Sequence, residues 1–168
     1  PYEQIAFQFS CHTLYEDGRI EHVEWIETEQ GKFPNYDFVK ALKDVLDKDN
    51  GTIFRYAAHE NTVLRQIQRQ MIDDNEEKYG EWIEWIDTIV EWEDEDTGEK
   101  FEGERNMVDM LKLIRDYYYH PAMGGSNSIK AVLPAIFTTS EFIKNRYQKA
   151  VGHGINLKDE ILWKMNDA

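Results

Sequence analysis

The sequence holds a single cysteine, Cys11, so no disulfide can form within the chain and a reducing, cytoplasmic setting is expected. No apolar stretch approaches the roughly 18 residues a membrane span needs. No basic leader precedes the first apolar run, and we expect neither a signal peptide nor a membrane partner. Phosphate-cradling signatures are missing: there is no G-x-x-x-x-G-K and no strand-coupled G-x-G-x-x-G, and Gly152-His153-Gly154 is too short to stand in for one. There is no C-x-x-C, and His59-Glu60 lacks a second histidine at the required spacing because position 63 is Val. Zinc is therefore not expected. Basic residues are scarce, 19 against 33 acids for a net charge of −14. That balance weighs against nucleic acid, whose phosphates are met by Lys and Arg.

What is present suits one folded domain of 168 residues, with 13% aromatics and enough length to bury a core. The acidity is concentrated. Residues 87 to 104 hold nine acids against Lys100, a local charge of −8. Such a run reads as a solvated loop or face, with a mimic of nucleic-acid phosphate or a cation-binding loop as the sharper alternatives.

Alternation of Ile5, Phe7, Phe9 and Cys11 predicts a half-buried strand over Ile5–Leu14, and Asp17-Gly18 predicts a hairpin into a second strand over Ile20–Trp25. After Pro34-Asn35, the spacing of Phe38, Leu42, Val45 and Leu46 predicts a helix ending near Asn50-Gly51. A third strand is expected over Thr52–Tyr56, and a helix from His59 to about Ile72. Trp82, Ile83, Trp85, Ile86 and Ile89 predict a further helix whose aromatic stripe is core. Residues 93–105, with Thr97-Gly98 and Gly103, are expected to form a loop insertion with a short hairpin as the alternative. "NMVDMLKLIRDYYYHP" resumes order. Gly124-Gly125-Ser126-Asn127 is expected to turn the chain and cap the helix "SIKAVLPAIF", and 138–168 reads as a helical extension. The order is that of an α/β protein.

Two acids stand where an apolar run meets a helix: Glu60 after "IFRYAAH" and Asp109 after "NMV". Acids are common in a first helical turn, where they meet the positive end of the helix dipole. Hard cations such as Mg²⁺ also draw carboxylates from separate elements converging at strand ends. Spacing leaves both readings open.

"PYEQIAFQFSCH", "TIFRYAAHENTVL", "NMVDM" and above all "YYYHPAMGGSNSIKAVLPAIF" resemble a bacterial family, Domain of Unknown Function 2779, over about residues 1 to 137. That family is grouped with the RNase H-like, DnaQ-like 3′–5′ exonucleases. The resemblance implies one RNase H-like domain over 1–168, a mixed sheet flanked by helices and truncated at its N-terminal strand. It implies a nuclease in which four acids hold two Mg²⁺ or Mn²⁺ ions over a nucleic-acid phosphate. Glu60 matches the third acid, as catalytic residue and metal ligand, although Tyr56 and His59 stand where the family usually has Asn and Phe. Asp109 matches an acid that more often supports the site than binds metal. Lys130 and His120 lie in the signature, and with His59 they are the candidate substrate contacts. The first-strand Asp-x-Glu pair is expected upstream of residue 1, and Asp159 and Asp167 match the last acid by position only. The chain therefore reads as an internal slice with no metal bound and no activity by itself. A dimer through an unpaired strand edge is expected. The competing class is an inert RNase H-like binding or scaffold module that docks protein through the acidic loop.

Overall fold

The structure, a computed structural model, describes residues 3–147. Asp159, Asp167 and the end of the C-terminal extension lie outside the described residues. The fold is mixed α/β, in two compact units. Of the described residues, 3–11 and 23–110 form the first, and 12–22 and 111–147 the second.

Strands β1 (Gln8–Leu14) and β2 (Ile20–Ile26) form the expected hairpin. Its turn places Gly18 at φ 84°, a conformation open to glycine, and the Gly18 N–H donates to the Tyr15 carbonyl at 2.9 Å. Glu27 N–H donates to the Phe7 carbonyl, and Phe9 stacks on Trp25. Toward the tip, the rings of His12 and His22 stack at 4.4 Å. Burial, reinforced by the charge of His22, lowers the His12 pKa below its ordinary value. The folded chain therefore favours neutral His12, and stability is lost as pH falls through the unfolded value near 6.5 toward the lowered one. We expect thermal stability to drop between about pH 7 and pH 5 and the drop to shrink in His12→Gln; identical pH profiles for the two proteins would contradict this.

Helix α1 (Asn35–Leu46) buries Phe38 and Val39 against α2 (His59–Ile89), whose Leu64, Ile67 and Met71 recur at helical spacing. The 31-residue α2 is not straight. At Asn75 the backbone leaves helical geometry (φ −167°, ψ 91°), and the Asn75 Oδ1 accepts from Lys78 N–H at 3.0 Å, the geometry of an N-cap. The helix then doubles back. Gln68 Nε2 donates to the Ile83 carbonyl at 2.8 Å, and Arg65 meets Asp87 at 3.2 Å, contacts a straight helix forbids across 15 and 22 residues. The two helices expected here are both present, joined by a one-residue break. Asn75→Ala is expected to cost about 1 kcal/mol, read from urea unfolding; an unchanged midpoint would contradict the cap.

Two expectations need correction. A single mixed sheet is absent among the described residues, which form three separate pairs: β1–β2, β3–β6 and β4–β5. β3 (Phe54–Arg55) runs parallel to β6 (Val108–Asp109), with Phe54 opposite Val108 and Arg55 opposite Asp109. The third strand is shorter than expected: among the described residues its strand partner is β6, two residues long. The acidic segment takes the short-hairpin alternative, an antiparallel pair of β4 (Glu91–Glu93) and β5 (Lys100–Glu102) with Trp92 stacked on Phe101 at 4.4 Å. Gly103 closes it against α2: a Cβ there would lie 2.4 Å from the Thr88 backbone.

In the second unit, α3 (Met110–Tyr117) turns Ile114 inward, and Tyr118 follows it, against Met123, Val132 and Ala135. Met123 belongs to a 3-10 turn (Pro121–Met123), and the others to α4 (Ile129–Thr139). Ser128 takes the N-cap position of α4 without a side-chain hydrogen bond of its own, and Ser126 Oγ, from the expected polar turn, accepts from Ser128 N–H at 3.3 Å. Helix α5 (Glu141–Tyr147) is the described part of the C-terminal extension. No helix among the described residues is long and apolar enough to cross a membrane.

Candidate functional site

The junction between β3 and α2 is built around Arg55, whose side chain is 2% exposed. A buried guanidinium must find acceptors or unfold the segment carrying it. Arg55 donates to Glu91 Oε1 at 2.6 Å and to the Ala57 carbonyl at 2.6 Å, and lies 3.6 Å from Asp109 Oδ2. Its Nε is buried without a hydrogen-bond partner. Ala57, held between these groups, has φ 71°, a left-handed conformation that costs an L-residue roughly 1–2 kcal/mol. Asp109 compensates by accepting from Ala57 N–H at 3.0 Å. The chain is thereby bent at the end of β3 so that α2 begins with His59 and Glu60, both exposed. Asn61 fixes the first turn, its amide exchanging two 2.9 Å hydrogen bonds with the Glu91 backbone.

Glu60 and His59 face a groove of about 680 Å³. One wall is residues 4–11, the other Ile53 and Phe54, and the floor is apolar, with Phe38, Leu42 and Leu64 among its residues. Cys11, half-buried, lies at one end. The walls are strand edges. Phe7 directs its carbonyl to β2, so alternation turns the Gln8 backbone to the groove. Ile53 directs its carbonyl to Val108 N–H, so the Phe54 backbone likewise faces the groove. Buried Asn35 pins the first wall, accepting from Ala6 N–H at 2.8 Å and donating to the Gln4 carbonyl at 2.9 Å.

The structure thus brings Glu60, His59 and Asp109 to one end of the β3–β6 pair, where Asp109 holds the bend and Glu60 is displayed. Lys130 and His120 belong to the second unit. There Lys130 lies exposed in the first turn of α4, and His120 Nδ1 accepts from Ala122 N–H at 3.1 Å. No group of three His, Cys, Asp or Glu able to hold a metal ion exists among the described residues. Mg²⁺ and Mn²⁺ need several convergent oxygens, and with Asp109 engaged by Arg55 and Ala57 the groove offers one free carboxylate, Glu60. By themselves these residues do not fit a two-metal centre.

Sequence reasoning missed Arg55 and Ala57. The available signal was a lone cation inside the apolar run Ile53-Phe54-Arg55-Tyr56.

A family model described as "Domain of unknown function (DUF2779)" matches residues 1–128. No curated protein and no solved structure matches the chain.

Proposed function

The chain belongs to the DUF2779 family, and on that footing we propose that it is part of an RNase H-like, metal-dependent 3′–5′ exonuclease domain acting on nucleic acid. The observation that carries the reading is the position of Glu60. It is a free carboxylate at the C-terminal end of a strand, beside a groove walled by two strand edges. A strand laid between β1 and β3 would join the two pairs into one mixed sheet, as the resemblance implies, and would bring its own side chains opposite Glu60. An Asp-x-Glu on that strand would supply the missing oxygens for Mg²⁺ or Mn²⁺, ions that activate water and stabilise the leaving oxygen in phosphodiester hydrolysis. Asp109 is then the positioning residue for the bend and His59 a candidate phosphate contact, while Lys130 and His120, in the second unit, are candidates on the resemblance alone. The chain alone, with Mg²⁺ or Mn²⁺, should leave oligonucleotides intact. A longer polypeptide that includes the acid-bearing strand should shorten them from the 3′ end. Cleavage by the 168-residue chain itself would overturn the assignment of the missing acids.

The acidic hairpin favours a second reading, a catalytically inert scaffold. Its Trp92–Phe101 stack, the turn in which Asp94 Oδ1 accepts from Thr97 N–H at 2.7 Å, and the 52% exposure of Phe101 present an ordered, half-apolar surface. A longer polypeptide that binds protein through residues 93–104 and never cleaves would decide for this reading. The open edges of β1 and β3 also support a dimer in the 168-residue chain, which sedimentation over a concentration series would detect.

A further inference from the structure

Helix α2 starts without a side-chain cap. Ala58 stands at its N-cap position and has no side-chain oxygen to offer the first-turn N–H groups, so this end of the helix is prone to fray. The turn that would open is the one that carries Glu60. Its first helical bond, from Thr62 N–H to the Ala58 carbonyl, is nonetheless formed at 2.9 Å.

What stands in for the cap is a residue of the acidic hairpin. Asn61 donates from Nδ2 to the Glu91 carbonyl and accepts through Oδ1 from Glu91 N–H, both at 2.9 Å. On the other side of the bend, the Glu91 carboxylate accepts from Arg55 Nη2 at 2.6 Å. One hairpin residue therefore grips the segment 55–61 at both ends, with the strained Ala57 and the displayed Glu60 between them. Glu91 is itself held in place. It lies opposite Glu102 in the β4–β5 register, where like charges repel, and the Asn106 amide bridges the two carboxylates at 3.4 and 3.2 Å. Gly103 seats the hairpin on the end of α2. Loosening this grip lets Ala57 relax out of the left-handed region, so the junction has a second conformation to fall into.

We propose that Asn61 and Glu91 are positioning residues for Glu60, and that the acidic hairpin supports the site through them. The proposal rests on the nuclease reading for what Glu60 does, but the clamp itself needs no metal, no substrate and no missing acid. The bonds to Asn61 come from the Glu91 backbone. That half of the clamp depends on where the hairpin lies rather than on its charge.

The test is the NMR order parameter of the backbone amides in the 168-residue chain, which reads the folded state alone. In the wild type His59 and Glu60 should be rigid, at about 0.85. Asn61→Ala should drop both below about 0.6, while Ile67 and Met71, buried further along the same helix, stay near 0.85. Asn61→Asp, which keeps the acceptor for Glu91 N–H, should lie between. Gly103→Ala forces the hairpin off its seat, because the added Cβ would lie 2.4 Å from the Thr88 backbone, and it should reproduce the loss at Glu60 without touching Asn61. Should Gly103→Ala fail to fold, Asn61→Ala carries the test. A rigid Glu60 in Asn61→Ala would overturn the clamp, and so would an equal loss of order along the whole helix. A rigid Glu60 in folded Gly103→Ala would remove the hairpin from the support of the site. In a longer polypeptide that cleaves, Asn61→Ala should lower kcat about ten-fold or more with KM changed by less than about two-fold. An unchanged kcat there would overturn the positioning role. The nuclease reading fails separately: a wild-type longer polypeptide that never cleaves removes it alone, and the order parameters still decide the clamp.

Discussion

Arg55→Met should lower the stability of the chain by about 3 kcal/mol, the largest effect we expect from one substitution. The guanidinium is buried, and the methionine fills much of its volume, so what is lost is chiefly the set of charge-assisted bonds to Glu91, Ala57 and Asp109. The estimate sits at the low end for broken buried pairs because Glu91 is 51% exposed and can rehydrate. Asp109, 21% exposed, rehydrates less readily and would remain beside a strained Ala57 that has lost one of its two restraints. Urea unfolding should show the loss as a lower midpoint with an unchanged slope. Arg55→Lys should not restore it, because a single ammonium cannot span acceptors placed for a planar fork. A loss below about 1 kcal/mol in Arg55→Met would mean that the bend is held by the Asp109–Ala57 hydrogen bond alone.

Glu60→Ala should separate chemistry from folding. The side chain is exposed, so its removal leaves no cavity, and the urea midpoint of the 168-residue chain should move by less than about 0.5 kcal/mol. In a polypeptide that cleaves nucleic acid, the same substitution should reduce the rate roughly a thousand-fold, the scale of losing several kcal/mol of charge stabilisation at the phosphate. A destabilised fold would make Glu60 a first-turn acid serving the helix dipole, the plainer of the two readings its position allowed. Full activity in a stable Glu60→Ala protein would remove it from the site altogether.

Much of this framework was legible in the sequence where local chemistry dictates local structure. Asp17-Gly18 between alternating runs predicts a hairpin because the turn needs a residue with positive φ. The periods of α1 and of both arms of α2 follow from one buried face. The two helices were legible here, but not the Asn75 cap within Asp73-Asp74-Asn75-Glu76-Glu77 that separates them. The division of the sheet was not legible, because whether β1 and β3 meet depends on what lies between them rather than on either strand's pattern. Nor was the role of Arg55. A cation in a strand ordinarily faces water, and only Glu91, 36 residues away, and Asp109, 54 residues away, make its burial tolerable. Glu60 and Asp109 were found by position, and the structure divided their roles: one carboxylate is displayed and the other consumed by the backbone.

The doubling back of α2 at Asn75 also sets an order of events during folding. Its two arms close on each other through Gln68–Ile83 and Arg65–Asp87, contacts of short sequence separation, whereas β3 and β6 must bring Phe54 to Val108 across the whole of that hairpin. Loop-closure entropy favours the local step first. The helical hairpin is therefore expected in the transition state, with φ-values well above those of the parallel strand pair. Destabilising Ile67 or Ile86 should slow refolding, while disturbing the Arg55 bend should chiefly speed unfolding.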